Sequence, residues 1–106
     1  MADYLCQVED IESPGARGFG DGTADSLFAV RCGDQVSVYR NRCPHAGAPL
    51  NWMPHRFLTR DKKHIICSAH GALFNLGNGT CVAGPCAGDA LEAIPSEIKD
   101  GEVWIL

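Results

Sequence analysis

Two short segments restrict this chain more than anything else in it: Cys43-Pro44-His45, followed by Ala46-Gly47-Ala48, and Cys67-Ser68-Ala69-His70, followed by Gly71. Each offers one thiolate and one imidazole. A loop of three or four residues aims two side chains at a shared point only where its neighbours are small or turn-forming. Pro44, Ala46, Gly47, Ser68, Ala69 and Gly71 meet that requirement. Twenty-one residues separate His45 from Cys67, enough for a hairpin that carries the chain away and returns it beside the first loop. The fold is therefore expected to present four candidate metal ligands, Cys43, His45, Cys67 and His70, at one end.

At 106 residues the chain has room for one compact domain, 1–106, and none for a separate catalytic one. Hydrophobic residues make up 45% and charged residues 21%, with no apolar run near the length that crosses a bilayer. That composition reads as a soluble globular protein with no membrane partner. Met1-Ala2-Asp3-Tyr4-Leu5 lacks the basic-then-apolar pattern of a secretory signal, so a cytoplasmic location is expected. In that reducing compartment six cysteines favour metal ligation or thiols over disulfides.

No segment shows helical periodicity, whereas short β-branched, aromatic or alternating runs are divided by Gly, Asp, Asn and Pro. The expectation is an all-β fold with strands at 4–8, 26–31, 35–40, 57–59, 64–67, 72–75, 80–82, 91–94 and 102–106. Cys32-Gly33-Asp34, Arg60-Asp61-Lys62-Lys63, Gly77-Asn78-Gly79 and Asp100-Gly101 supply residues that tolerate tight or left-handed turns. The glycine-rich stretch from Ser13 to Gly22 lacks the strand-to-helix context of a phosphate loop and reads as a flexible surface loop.

Charge is unevenly spread. Residues 1–34 sum to −5, residues 35–88 to +5 and residues 89–106 to −4. The middle third sets Arg40, Arg42, Arg56, Arg60, Lys62 and Lys63 against the single acid Asp61, and it also holds every candidate ligand. This basic island reads either as a solvated face or as a surface that steers an acidic partner.

Read as Cys-x-His followed by Cys-x-x-His, the two segments resemble the Rieske iron–sulfur family, in which one iron takes two cysteines and the other two histidines. The resemblance implies one 2Fe-2S cluster, with Cys43 and Cys67 on the inner iron and His45 and His70 on the outer one. It also implies an antiparallel β-sandwich with a small cluster-binding subdomain, here about 41–88. Gly84-Pro85 resembles the family's proline loop, and His70-Gly71-Ala72-Leu73-Phe74 resembles its His-Gly-x-x-Phe stretch. The interval between the motifs is a few residues longer than in the commonest members, and the extra length is expected around Asn51–Arg56. Neutral imidazoles leave the oxidised core uncharged, so an added electron is more welcome than on an all-cysteine cluster. High-potential relatives carry hydroxyl side chains where this chain has Ala72 and Phe74, and a cysteine pair where it has Ala48 and Ala69. The likeness is therefore to the low-potential, ferredoxin branch.

What the resemblance implies for function is an electron-transfer protein, not an enzyme, with flavin-dependent reductases as donors and oxygenases or other redox enzymes as acceptors. A monomer with no nucleic-acid partner is expected, since no basic helix is visible. Two alternatives come from other classes: the small subunit of a redox enzyme such as nitrite reductase, and a redox or iron sensor. A Cys2His2 set also suits structural zinc, though the spacing is not the usual one. An oxygenase needs a further domain with mononuclear iron, and His55, His64 and Asp61 on one short hairpin enclose no substrate pocket. His55 and His64 read as surface or hairpin histidines. Cys6, Cys32, Cys81 and Cys86 read as buried or partly buried thiols, with a Cys81–Cys86 disulfide or redox role as the sharper alternative. Trp52, Met53 and Phe57 read as an apolar collar beside the first loop or as ordinary packing.

Overall fold

The computed structural model describes residues 3–20, 23, 25–44, 47, 49–51, 55–67, 71–84 and 88–106. Its described strands are β1 (Asp3–Gln7), β2 (Gly15–Phe19), β3 (Leu27–Cys32), β4 (Gln35–Arg40), β5 (His64–Ile66), β6 (Leu73–Asn75), β7 (Cys81–Ala83), β8 (Ala93–Ile94), β9 (Ser96–Lys99) and β10 (Glu102–Ile105). One 3-10 turn, Val8–Asp10, follows β1. Among the described residues all strand pairings are antiparallel, in three sheets ordered β1-β10-β9, β2-β3-β4-β8 and β5-β6-β7. The all-β antiparallel expectation therefore holds.

The central layer is the four-stranded sheet, because β3 and β4 are apolar on both faces. Side chains alternate across a strand, so cross-strand partners share a face. Phe28 faces Tyr39 and Ala29 faces Val38 in register. Ala29 and Val38 join Cys6, Ile11 and Val103 in a core against the β1-β10-β9 sheet. Phe28, Val30 and Tyr39 turn the other way, into a second core with Ile65, Phe74 and Cys81 of the β5-β6-β7 sheet. Phe57 enters that second core from the segment before β5 and stacks on Phe28, with ring centroids 4.3 Å apart and planes 5° from parallel. Burying each such ring contributes roughly 1.5–3 kcal/mol.

The third sheet is also tied to the central one through polar groups. Tyr39 donates its hydroxyl to the Leu76 carbonyl at 2.9 Å, and Ser37 donates to the Gly77 carbonyl at 3.3 Å, so the turn between β6 and β7 docks on β4. Gly79 lies so close to Tyr39 that a Cβ there would meet the ring at 2.8 Å. Two expected hairpin turns are present: Cys32 pairs with Gln35 across Gly33-Asp34, and Lys99 pairs with Glu102 across Asp100-Gly101. The latter has positive φ at both central residues, 54° and 76°, as a type I′ turn requires.

Several expectations need correction. The stretch read as a flexible loop contains β2, fully registered on β3 from Gly15↔Arg31 to Phe19↔Leu27. Its glycines serve close approach: a Cβ on Gly15 would meet the Glu12 carbonyl at 2.5 Å, and one on Gly18 would meet the Phe57 ring at 3.1 Å. β9 had no strand signal either. Its one large apolar residue, Ile98, is 43% exposed on a sheet edge. Conversely, the run 57–59 forms only a single bridge, Leu58↔Ile65. Cys32, expected to be at least partly buried, is exposed beside its turn.

Candidate metal centre

The first ligand loop leaves β4 at Arg40 and is closed by Asn41. This side chain is 1% exposed and fully employed. Its Nδ2 donates to Asn51 Oδ1 at 2.8 Å and lies 3.4 Å from Ser26 Oγ, while its Oδ1 accepts the Leu50 amide at 2.9 Å. The Asn41 amide in turn donates to the Ser26 carbonyl. One buried amide thus joins the start of the loop, its end and the entry to β3. An unpaired polar group at this depth would cost about 1–3 kcal/mol, so the network specifies a single loop closure.

Within that loop the Gly47 amide donates to the Cys43 carbonyl at 2.7 Å, and Gly47 has φ 69°. The second loop repeats the device: the Gly71 amide donates to the Cys67 carbonyl at 2.8 Å, and Gly71 has φ 70°. Each cysteine therefore opens a one-turn loop that a left-handed glycine closes four residues on, a conformation glycine adopts without the Cβ penalty. The Cys67 amide also donates to the Ala72 carbonyl at 2.9 Å, sealing the second loop onto the start of β6.

Cys43 is 1% and Cys67 0% exposed, and both belong to the same buried core cluster. Two thiols from segments 24 positions apart in the numbering thus share one apolar interior. A bare thiolate is costly there, whereas one neutralised by a metal is not. The donor chemistry fits an iron–sulfur or zinc centre.

His45 and His70 lie outside the described residues, as do Trp52, Met53, Pro85 and Cys86. The expected histidine ligation, the Trp52 and Met53 part of the collar and the Cys81–Cys86 pairing therefore have no described geometry. Among the described residues no group of three or more His, Cys, Asp or Glu is placed to hold a metal ion. Cys81 is buried, and its Sγ lies 3.3 Å from the Ala83 carbonyl.

A third segment leans on the second loop. Gly84 has φ 98°, and a Cβ there would fall 2.8 Å from the Ala72 Cα. The backbone that leads into Pro85 is thus in direct contact with the residue two positions after His70. Ala72 and Phe74, at the positions where hydroxyls were noted as missing, are both 0% exposed.

The basic island is partly neutralised by the acidic ends of the chain. Arg40 pairs with Glu92 at 3.6 Å, Arg42 with Asp25 at 2.8 Å and Lys62 with Glu12 at 3.5 Å. Arg56, Arg60 and Lys63 have no ion pair among the described residues. His55 is exposed and its Nδ1 accepts the Gly18 amide at 3.0 Å; His64 is half-buried at the start of β5. These positions place His55 on the surface and His64 in the hairpin.

Sequence reasoning missed Asn41 and the contact that Gly84 makes with Ala72. An Asn directly before a ligand loop gives no periodic signal, because its role depends on three partners distant in sequence. Gly84 was noted only for its proline neighbour.

Comparison with known proteins adds three points. The model of the Rieske [2Fe-2S] domain family matches residues 3–96. No curated protein matches the chain. Among solved structures, a chain of the complex of reduced oxygenase and oxidized ferredoxin in carbazole 1,9a-dioxygenase is 28% identical, with 98% of this chain and 91% of that chain covered and a TM-score of 0.75. The Sphingomonas yanoikuyae B1 ferredoxin is 27% identical over 96% of this chain and 94% of its own, with a TM-score of 0.72. The ferredoxin of carbazole 1,9a-dioxygenase from Nocardioides aromaticivorans IC177 has a TM-score of 0.76 over 99% and 96% of the two chains, and at 24% identity it speaks for the fold alone. With a family model matched over residues 3–96, nearly the whole of its length, the chain belongs to the Rieske [2Fe-2S] domain family.

Proposed function

We propose that this chain is a Rieske-type ferredoxin, an electron carrier working between a reductase and an oxygenase rather than a catalyst. The observation that carries the reading is the burial of Cys43 and Cys67 in one core at the heads of two identically closed loops. Cys43 and Cys67 would hold the inner iron and His45 and His70 the outer one, in a single domain of residues 1–106 whose cluster-binding part is about 41–88. A 2Fe-2S cluster, when bound, supplies storage for one electron.

The chain's own residues do the rest. Asn41 fixes the first loop and the Cys67–Ala72 hydrogen bond fixes the second, so the thiolates keep their positions when the charge they face changes. Gly84 on Ala72 and the core ring of Phe74 limit water on that side. Low reorganisation suits a carrier better than a catalyst. Among the described residues no helix is long and apolar enough to cross a membrane. The relatives in oxygenase–ferredoxin complexes support an oxygenase as acceptor and, by the same system logic, a flavin reductase as donor. A monomer acting in the cytoplasm without nucleic acid fits a shuttle between such partners. Retention of all four ligand positions favours the shuttle over a non-redox subunit.

Reversible redox titration tests this. We expect uptake and return of one electron per chain at a midpoint in the lower part of the Rieske range, which spans roughly −150 to +300 mV. The absence of hydroxyl groups at Ala72 and Phe74 is the reason for the low value. A midpoint well above zero millivolts, or no reversible uptake, would overturn the reading.

A further inference from the structure

A groove of about 500 Å³ runs between β2 and the segment His55–Lys62, and none of its lining residues belongs to either ligand loop. Its walls are the strand β2 and the run 57–59, which bridges to β5 at Leu58. β2 is the outer strand of its sheet. The Gly18 amide donates to the His55 side chain, so Gly18 points away from β3, and by the two-residue alternation of an antiparallel ladder so does Ala16. On the facing wall, Thr59 donates to the His64 carbonyl and Phe57 accepts the Ile66 amide. Those two bonds turn residues 57 and 59 toward β5 and leave the N–H and C=O of Leu58, between them, directed into the groove. Among the described residues neither Ala16 nor Leu58 has an outward backbone partner. Gly18 meets His55 and Phe57 across the two walls.

Unpaired edges are templates for an added strand. The charge of the lining says what kind. Arg17, Arg56, Arg60 and Lys62 outnumber Asp10 and Glu12. Those two acids are already engaged, Asp10 by the Gln7 amide at 3.0 Å and Glu12 by Lys62 at 3.5 Å. Arg56 and Arg60 are exposed and unpaired among the described residues.

We propose that this groove takes up an extended acidic segment of a partner protein as an added strand, bonded to the Ala16 and Leu58 backbones and held by Arg56 and Arg60. The site is separate from the metal centre and does not depend on what that centre holds. Partner attachment is thereby divided between the ligand loops, where electrons pass, and a lateral slot that sets which partner is retained.

The test uses the metal-loaded chain labelled with nitrogen-15 and, as probe, a capped octapeptide of alternating glutamate and valine, with the lysine–valine analogue as control. The expected result is saturable movement of the Ala16 and Leu58 amide signals, with slowed hydrogen exchange at both. Affinity should fall about tenfold or more in Arg56→Glu/Arg60→Glu, since opposed charges replace the pairing. It should fall comparably in Ala16→Pro, which removes only the outward N–H and is tolerated on an edge strand. The proposal is overturned if the acidic peptide gives no saturable shift, if the lysine peptide binds equally, or if either variant keeps wild-type affinity while remaining folded.

Discussion

Asp61 shows how much local structure one side chain can set. Its Oδ1 accepts the Thr59 hydroxyl at 2.6 Å and the Lys63 amide at 3.1 Å, building the turn in which Lys62 adopts φ 60°. The Thr59 hydrogen bond first, then the Lys63 amide, hold this carboxyl below the usual aspartate value. A depressed folded-state value means that the carboxylate stabilises the fold above the unfolded-state pKa, near 3.9, and that this contribution is lost as pH falls through the lower folded value. Asp61→Asn should therefore lower the melting temperature at about pH 6, with the difference from wild type shrinking toward about pH 3. Melts at the two pH values check this, and a difference that grows on acidification would contradict it. The sequence revealed this turn through Asp61 and its neighbours. Asn41 was not legible in the same way, because nothing within three residues of it indicates that Ser26, Leu50 and Asn51 will converge on it.

At the level of elements, strand–turn punctuation carried most of the information. β3, β4 and their turn follow directly from an apolar run, Gly33-Asp34 and a second apolar run, and β9–β10 closes on Asp100-Gly101. β2 was not legible because its packing is made by absent side chains: Gly15 and Gly18 admit Glu12 and Phe57, a role that composition presents as looseness. Two glycines with similar backbones separate conformation from packing. Gly33 has φ 63° with open space around it, whereas Gly79 has φ 71° with Tyr39 and Leu91 within reach of a Cβ. Gly33→Ala should cost about 1–2 kcal/mol from the left-handed conformation alone. Gly79→Ala should cost that plus roughly 1–3 kcal/mol from overpacking. Urea unfolding of both variants measures the difference, and equal losses would mean that the β6–β7 turn is not pressed against β4 as described.

Across the whole molecule, sheets on both faces of β3 and β4 form two cores, and the core that faces the β5-β6-β7 sheet is the one that contains Cys43 and Cys67. The burial of those two cysteines and the packing of the third sheet thus rest on one core. That Cys43 and Cys67 head two paired loops was legible from spacing, because each stands in a compact motif flanked by small residues. The charge pattern was only half legible: the sequence shows a basic middle between acidic ends, but folding pairs Arg40, Arg42 and Lys62 with Glu92, Asp25 and Glu12, leaving a smaller and more localised positive surface. Exposed pairs like these contribute at most about 1 kcal/mol each, so their effect is on where charge remains rather than on stability. The central claim is that these loops hold a 2Fe-2S cluster on two cysteines and two histidines. Electron paramagnetic resonance of anaerobically purified protein, before and after dithionite and alongside iron and sulfide analysis, tests it most directly. A signal that appears only on reduction, with the low average g value of mixed histidine and cysteine ligation, is the expected result. A sample silent in both states that contains zinc and no sulfide would contradict it.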